Sequence, residues 1–300
     1  MRIDLRYVSS FSYDGPVAQS HNVLRARPAE DRYQRTVSYQ VDVDPPASVH
    51  SSVDYWGTWV DTFAVVREHT RLTVAAEAVV DTSPRPEPES DARAPEHLLG
   101  FHEYLVPSPH VSWDADVAEF ARAAIAGRNG YVDQVHGVVE AVGTRLDYTP
   151  GATEVGTSVE EIFATGEGVC QDYAHLALAA FRSLGIPARY VSGYLYAVDS
   201  SLGDEPVDDE ISVSTHAWIE VPVDDIWWAL DPTNQLPVGE RHVKIGHGRD
   251  YEDVTPLRGV FHGSSTNAGL EASVSMSRSD LPQFDLTPRP ELLPVRQSQQ

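Results

Sequence analysis

The chain has 300 residues, 41% of them hydrophobic, enough to bury a substantial core in one large domain or two ordinary ones. Its 45 acidic against 22 basic side chains give a net charge of −23, which repels nucleic-acid phosphates and anionic lipid surfaces and argues against both as partners. The single cysteine, Cys170, forms neither an internal disulfide nor a multi-thiolate zinc site; with no run of 18 apolar residues and no basic-then-apolar leader in MRIDLRYVSS, the expected compartment is the cytoplasm.

Residues 1–80 alternate apolar with polar over short runs, as in Ile3, Leu5, Tyr7 and in Val37, Tyr39, Val41, Val43, and predict a β-rich N-terminal domain whose last strand ends at Val80. The proline- and charge-rich stretch 81–96 reads as a linker. Beyond it the period becomes helical over 113–127 and 132–146, with Asp114 and Asp133 near the starts, and Ser158 with Glu161 predicts a capping box for a short helix through Phe163. Strand patterns return from Tyr190 and include a late strand at 267–278. The expected second domain therefore spans 97–278 and the tail 279–300 is expected to be disordered. The acidic stretch Asp199 to Glu210 lacks calcium-loop spacing and reads as solvated.

GVCQDYAHLALAAFRSLGIPARY (168–190) places Cys170, Ala174, Ala177, Leu178 and Phe181 on one helical face, with Gly185, Ile186 and Pro187 as a stop. Cys170 thus opens a helix, where unpaired N–H groups and the positive end of the dipole favour an anion. Read from this segment alone it is either a small core residue or a nucleophile. Gln171 and Asp172 read as capping or surface groups, and His175, five residues on, as a hydrogen-bonded structural histidine.

STHAWIEVPVDDIWWALDPTN reads as a hairpin around the loop Pro222–Val223–Asp224–Asp225. Pairing Val221 with Ile226 gathers Ala217, Ile219, Val221, Trp228 and Leu230 on one apolar face. The opposite face carries His216, Trp218, Glu220, Trp227 and Asp231, and this register opposes His216 directly to Asp231, within imidazole–carboxylate range. The pair is either structural or the oriented base that a nucleophile at Cys170 requires.

The segments GEGVCQDYAHLALAAFRSLGIPARYVSGYLY, THAWIEV and LDPTN, in the order Cys, His, Asp, resemble the transglutaminase-like superfamily of papain-type cysteine enzymes, in particular its bacterial two-domain group. DYTPGAT (147–153), HVKIGHGRDYEDVTPLRGVFHG (242–263) and the β-rich residues 1–80 extend the likeness over nearly all but linker and tail. The resemblance implies an α+β protein: an N-terminal β-sandwich-like domain, then a papain-like core whose nucleophile opens a helix packed on an antiparallel sheet. It implies Cys170 as nucleophile, His216 as base and Asp231 as its orienter, a protein or peptide substrate, and no cofactor or metal. Tyr148 and Trp218 are candidates for an oxyanion donor or a wall of the site. The alternatives within this frame are hydrolysis or amide exchange, and a catalytically inactive binding scaffold.

Overall fold

The computed structural model describes residues 1–196, 211–213 and 215–279; the acidic stretch 199–210 and the tail from 280 lie outside the described residues. In chain order come β1 (Arg2–Leu24), β2 (Gln34–Asp44), β3 (Val49–Val53), β4 (Trp59–Val65) and β5 (His69–Thr82), then helices α1 (Ala115–Ile125) and α2 (Tyr131–Arg145). There follow β6 (Asp147–Tyr148), α3 (Val159–Thr165), β7 (Glu167–Gly168), α4 (Cys170–Ser183), β8 (Arg189–Leu195), β9 (Ile211–Val213), β10 (Thr215–Val223), β11 (Ile226–Asp231), β12 (Leu236–Pro237), β13 (His242–Gly248), β14 (Leu257–Gly263) and β15 (Ala268–Arg278).

The long β1 organises the N-terminal domain. Its first half pairs with β5 on one side and β15 on the other, and its second half with β4 and β14; the register to β5 breaks between Ser12 and Val17. Alternate side chains Ile3, Leu5 and Tyr7 face inward with Leu72, Val74, Ala76, Ala78 and Val80 of β5, as the period-2 pattern requires. The expected domain boundary is corrected here. Residues 257–278 belong to the N-terminal sheet, because Val274 and Met276 of β15 bury their side chains in its core while the backbone completes the ladder to β1.

Tyr194, Val243 and Ile245 of the second domain enter the same hydrophobic cluster, so the two parts share a core. The linker is tied down as well: Arg93 and Asp224 bond reciprocally, Arg93 N–H to Asp224 Oδ1 (3.0 Å) and Asp224 N–H to the Arg93 carbonyl (2.8 Å).

The second domain has a five-stranded antiparallel sheet ordered β12-β11-β10-β8-β13. Helix α4 packs on one face of it, joined by α1 and α2, and its Leu176, Ala177, Ala180 and Phe181 meet Ala217, Ile219, Val221, Trp228 and Leu230. Asp114 caps α1 by accepting from the N–H groups of Asp116 and Val117, and Ser158 caps α3 by accepting from Glu161 N–H at 3.2 Å. Gly166 ends α3 with φ 75°, a left-handed conformation that glycine adopts without strain, and so turns the chain toward α4.

The hairpin register differs from the expected one by two residues. Val223 pairs with Ile226, Val221 with Trp228 and Ile219 with Leu230, around the two-residue turn Asp224–Asp225. Asp224 takes φ 47°, which an aspartate tolerates and which tightens the turn. Pro222 then stays in the strand: pairing with β8 stops at Glu220, so its missing N–H breaks no ladder bond there. A shift of two leaves the faces unchanged and moves the partners.

Candidate active site

Cys170 is the first residue of α4, held by the bend of β6, β7 and the Gly166 turn. Asp172 fixes the start of the helix: its carboxylate accepts from Val169 N–H at 2.8 Å and from the Thr153 hydroxyl at 2.6 Å, in a buried position. Cys170, at the first helical position, has an N–H with no helical carbonyl to bond, whereas the N–H groups of Asp172 and Tyr173 both donate to the Val169 carbonyl. The thiol is half-buried and lies 3.8 Å from the Thr215 carbonyl, at the head of β10. That contact places it beside the next residue, His216, and the sulfur is among the groups that favour charge on that ring.

His216 Nε2 meets Asp231 Oδ2 at 2.7 Å although the two residues are diagonal in the ladder. Diagonal neighbours are about 7–8 Å apart at the backbone, a gap that an imidazole and a short carboxylate span. Asp231 is fully buried and densely bonded. Oδ1 accepts from the N–H groups of Thr233 (3.0 Å) and Asn234 (3.2 Å); Oδ2 also accepts from Asn234 Nδ2 (2.7 Å) and from a second imidazole, His242 Nε2 (3.4 Å). Burial alone would raise this carboxyl, but the bonds from His216 and His242 outweigh it and hold Asp231 well below the usual carboxylate range. Burial likewise opposes charge on His216; Asp231 and the neighbouring thiol overcome it and push the imidazole up to about 9. The ring is therefore cationic at neutral pH.

Trp218 lies under both histidines, its ring 6.0 Å from that of His216 and edge-on to His242 at 5.4 Å. Gly193 makes room for it: a Cβ there would fall 2.5 Å from Trp218 Cη2 and 2.2 Å from the Val243 carbonyl. Trp218 is buried, so it forms the floor of the site. Tyr148 is exposed, near Cys170. Its ring tilts toward Tyr173 at 6.4 Å, and its hydroxyl is raised by partial burial and by the nearby Cys170. The structure thus brings Cys170, His216, Asp231, Trp218 and Tyr148 to one place. His175 is elsewhere, buried, stacked on His110 and accepting from Tyr251 N–H at Nε2, and burial pushes it down to about 3.

Two residues that the sequence reading assigned no role, Asn234 and His242, complete the surroundings of Asp231. Asn234 was within sight, since it ends the LDPTN segment. The facing atoms of His216, Asp231 and His242 lie within 4.8 Å of one another, a spacing that invites comparison with a metal centre. The comparison fails on detail: donors around a tetrahedral zinc stand roughly 3.3 Å apart, whereas Nε2 and Oδ2 here are drawn to 2.7 Å by a hydrogen bond. The same atoms that would face a cation are already bonded to each other.

Farther along the same strand face, Glu220 is buried between two cations, 2.7 Å from Lys244 Nζ and 2.6 Å from Arg189. Burial pushes Lys244, the only lysine of the chain, down to about 8, against the pull of Glu220.

Two family models match this chain: the transglutaminase-like superfamily over residues 118–232 and the bacterial transglutaminase-like N-terminal region over residues 3–81. An uncharacterized protein of Mycobacterium leprae is 32% identical over 283 residues, covering 92% of this chain and 99% of the relative; an uncharacterized protein of Mycobacterium tuberculosis is 32% identical over 295 residues, covering 92% of each. Among solved structures, a candidate cysteine protease of Cytophaga hutchinsonii superposes with a TM-score of 0.73 at 21% identity, over 96% of this chain and 95% of the other, a likeness of fold. Among the described residues no helix is long and apolar enough to cross a membrane.

Proposed function

Since the chain belongs to the transglutaminase-like superfamily, with the bacterial N-terminal region that accompanies it, we propose that it is a cysteine-dependent acyl-transfer enzyme acting on amide bonds of a peptide or protein. Cys170 is the nucleophile, His216 the general acid and base, and Asp231 the group that orients and charges the imidazole. The observation that carries this reading is the 2.7 Å bond from His216 Nε2 to Asp231, on the strand whose preceding residue, Thr215, has its carbonyl 3.8 Å from the Cys170 sulfur.

With Nε2 bonded to Asp231, Nδ1 is the ring nitrogen left for sulfur. The Cys170 thiolate attacks the amide carbonyl carbon and a C–S bond forms. The resulting oxyanion finds a donor in the Cys170 backbone N–H at the start of α4. Collapse breaks the C–N bond, and the imidazolium gives its proton to the departing nitrogen, leaving a thioester and a neutral His216. Water or an amine then attacks the thioester; His216 removes the proton of the attacking group and sulfur leaves. Water gives hydrolysis, an amine gives amide exchange. An unpaired thiol of this kind suits a reducing compartment, and we place the reaction in the cytoplasm.

The test offers purified protein a blocked glutaminyl peptide, with and without a primary alkylamine, and follows ammonia release and conjugate mass. Turnover that Cys170→Ala abolishes while circular dichroism is unchanged supports the reading, and the amine arm separates exchange from hydrolysis. Turnover that survives in Cys170→Ala overturns it.

A further inference from the structure

We propose that His242 is a positioning residue of this site: a neutral imidazole that donates from Nε2 to Asp231 and so fixes the carboxylate against His216. The inference rests on the acyl-transfer reading of Cys170 and His216.

The tautomer follows from its two ring contacts. Gly239 N–H donates to His242 Nδ1 at 3.3 Å, so Nδ1 carries a lone pair and the proton of the neutral ring is on Nε2, the atom that faces Asp231 Oδ2 at 3.4 Å. The ring is 6% exposed, braced edge-on against Trp218, and 6.0 Å from His216. Two imidazoles therefore share one carboxylate oxygen in different roles. The groups facing His242 are Asp231, His216 and, at longer range, Arg85; burial, together with the cationic His216 and Arg85, opposes a second positive charge and outweighs the carboxylate. A second cation at this position would draw Asp231 away from His216. A neutral donor adds a third, longer contact to an Oδ2 that already accepts from His216 and Asn234, and leaves the stronger, charged bond to His216.

The place of His242 in the sheet supports this. It opens β13, on the far side of β8 from β10, opposite Leu195, and reaches the site over Gly193, where the missing side chain lets Trp218 extend across to it. Its contribution is directional: Thr233 and Asn234 bond Asp231 from its own loop, whereas His242 bonds it from a different strand and ties β11 to β13 at the site.

Because the chain has one cysteine, its alkylation by iodoacetamide reads this site alone. Rates are measured from pH 5.5 to 9.5 for the wild type, His242→Gln and His242→Met, with urea-unfolded protein as the reference thiol. Glutamine places an amide donor where Nε2 stands; methionine matches its length with no donor. The expected result is a folded wild type alkylated faster than the unfolded chain at pH 6.5, His242→Gln within about twofold of it, and His242→Met slower by about tenfold at pH 6.5 but converging by pH 9.5. If Met and Gln variants run together, whether both fast or both slow, the donor role is overturned. A second measurement needs no variant. Imidazole ¹⁵N spectra of the wild type should show His242 as the neutral Nε2–H tautomer from pH 5.5 to 9, and an Nδ1–H or cationic ring overturns the proposal. A wild-type thiol no faster than the unfolded reference at pH 6.5 defeats the acyl-transfer reading itself; a fast thiol that is indifferent to His242→Met defeats only this inference.

Discussion

Asp231 lies one diagonal step from His216 across the β10–β11 ladder, and the two side chains close that step with a 2.7 Å hydrogen bond. A directly opposed pair would have its Cβ atoms about 5 Å apart and its side chains side by side. The diagonal placement instead points the carboxylate along the sheet into the ring edge, which leaves the far edge of the imidazole free to meet the thiol.

The first prediction concerns pH. His216 is raised to about 9 in the folded protein from an ordinary value of about 6.5, so folding favours its charged form. Its contribution to stability is complete below about pH 6.5, shrinks as pH rises through that interval, and is lost above about pH 9. Urea unfolding of the wild type and of His216→Gln at pH 6, 7.5 and 9.5 should show a stability difference that narrows with increasing pH. A difference constant across the three would contradict the ion pair with Asp231. Using the difference cancels other groups that titrate nearby, Lys244 among them.

A second prediction separates the members of the buried cluster at the other end of the strand face. Glu220 is the carboxylate that pairs with both Lys244 and Arg189 among the described residues. Replacing Glu220 by Gln leaves two buried cations unmatched and should lower unfolding free energy by about 3–5 kcal/mol. Replacing Lys244 by Met leaves the Glu220–Arg189 pair intact and should cost clearly less, about 1–2 kcal/mol. Equal losses in urea titrations would mean that the cluster does not act as one carboxylate shared by two cations.

The shared core makes a third prediction. Met276 is fully buried in the N-terminal core, in a cluster that also holds Tyr194, Val243 and Ile245 of the second domain. Met276→Ala should cost about 2–5 kcal/mol and move a single unfolding transition, with near-ultraviolet signals and backbone signals changing together. Two separated transitions would show that the parts are held independently.

The site was legible in sequence where local chemistry decided it. Cys170 follows a left-handed glycine turn and precedes an apolar helical face, and both features are written in neighbouring residues. The hairpin faces were legible because strand side chains alternate with period two, so an error of two in the register left His216 and Asp231 on the same face. The register itself turned on whether Pro222 and Val223 belong to strand or loop. That was settled by where β8 begins and by the left-handed Asp224, and both are tertiary facts. His242 was not legible: it lies on a strand that pairs with β8 at the edge of the described sheet and reaches Asp231 across Gly193, a path that no spacing in the chain records. The return of β14 and β15 to β1 was hidden for the same reason. The pattern of 267–278 gives a strand but not which sheet it joins.

The most direct test of the central claim is the mass of the intact protein, quenched in acid while it turns over a panel of blocked amide peptides. The account predicts an adduct equal to the peptide less its leaving amine, mapped to Cys170, released by neutral hydroxylamine and absent from Cys170→Ala. Amide turnover with no such adduct, or an acyl group carried on another residue, would contradict it.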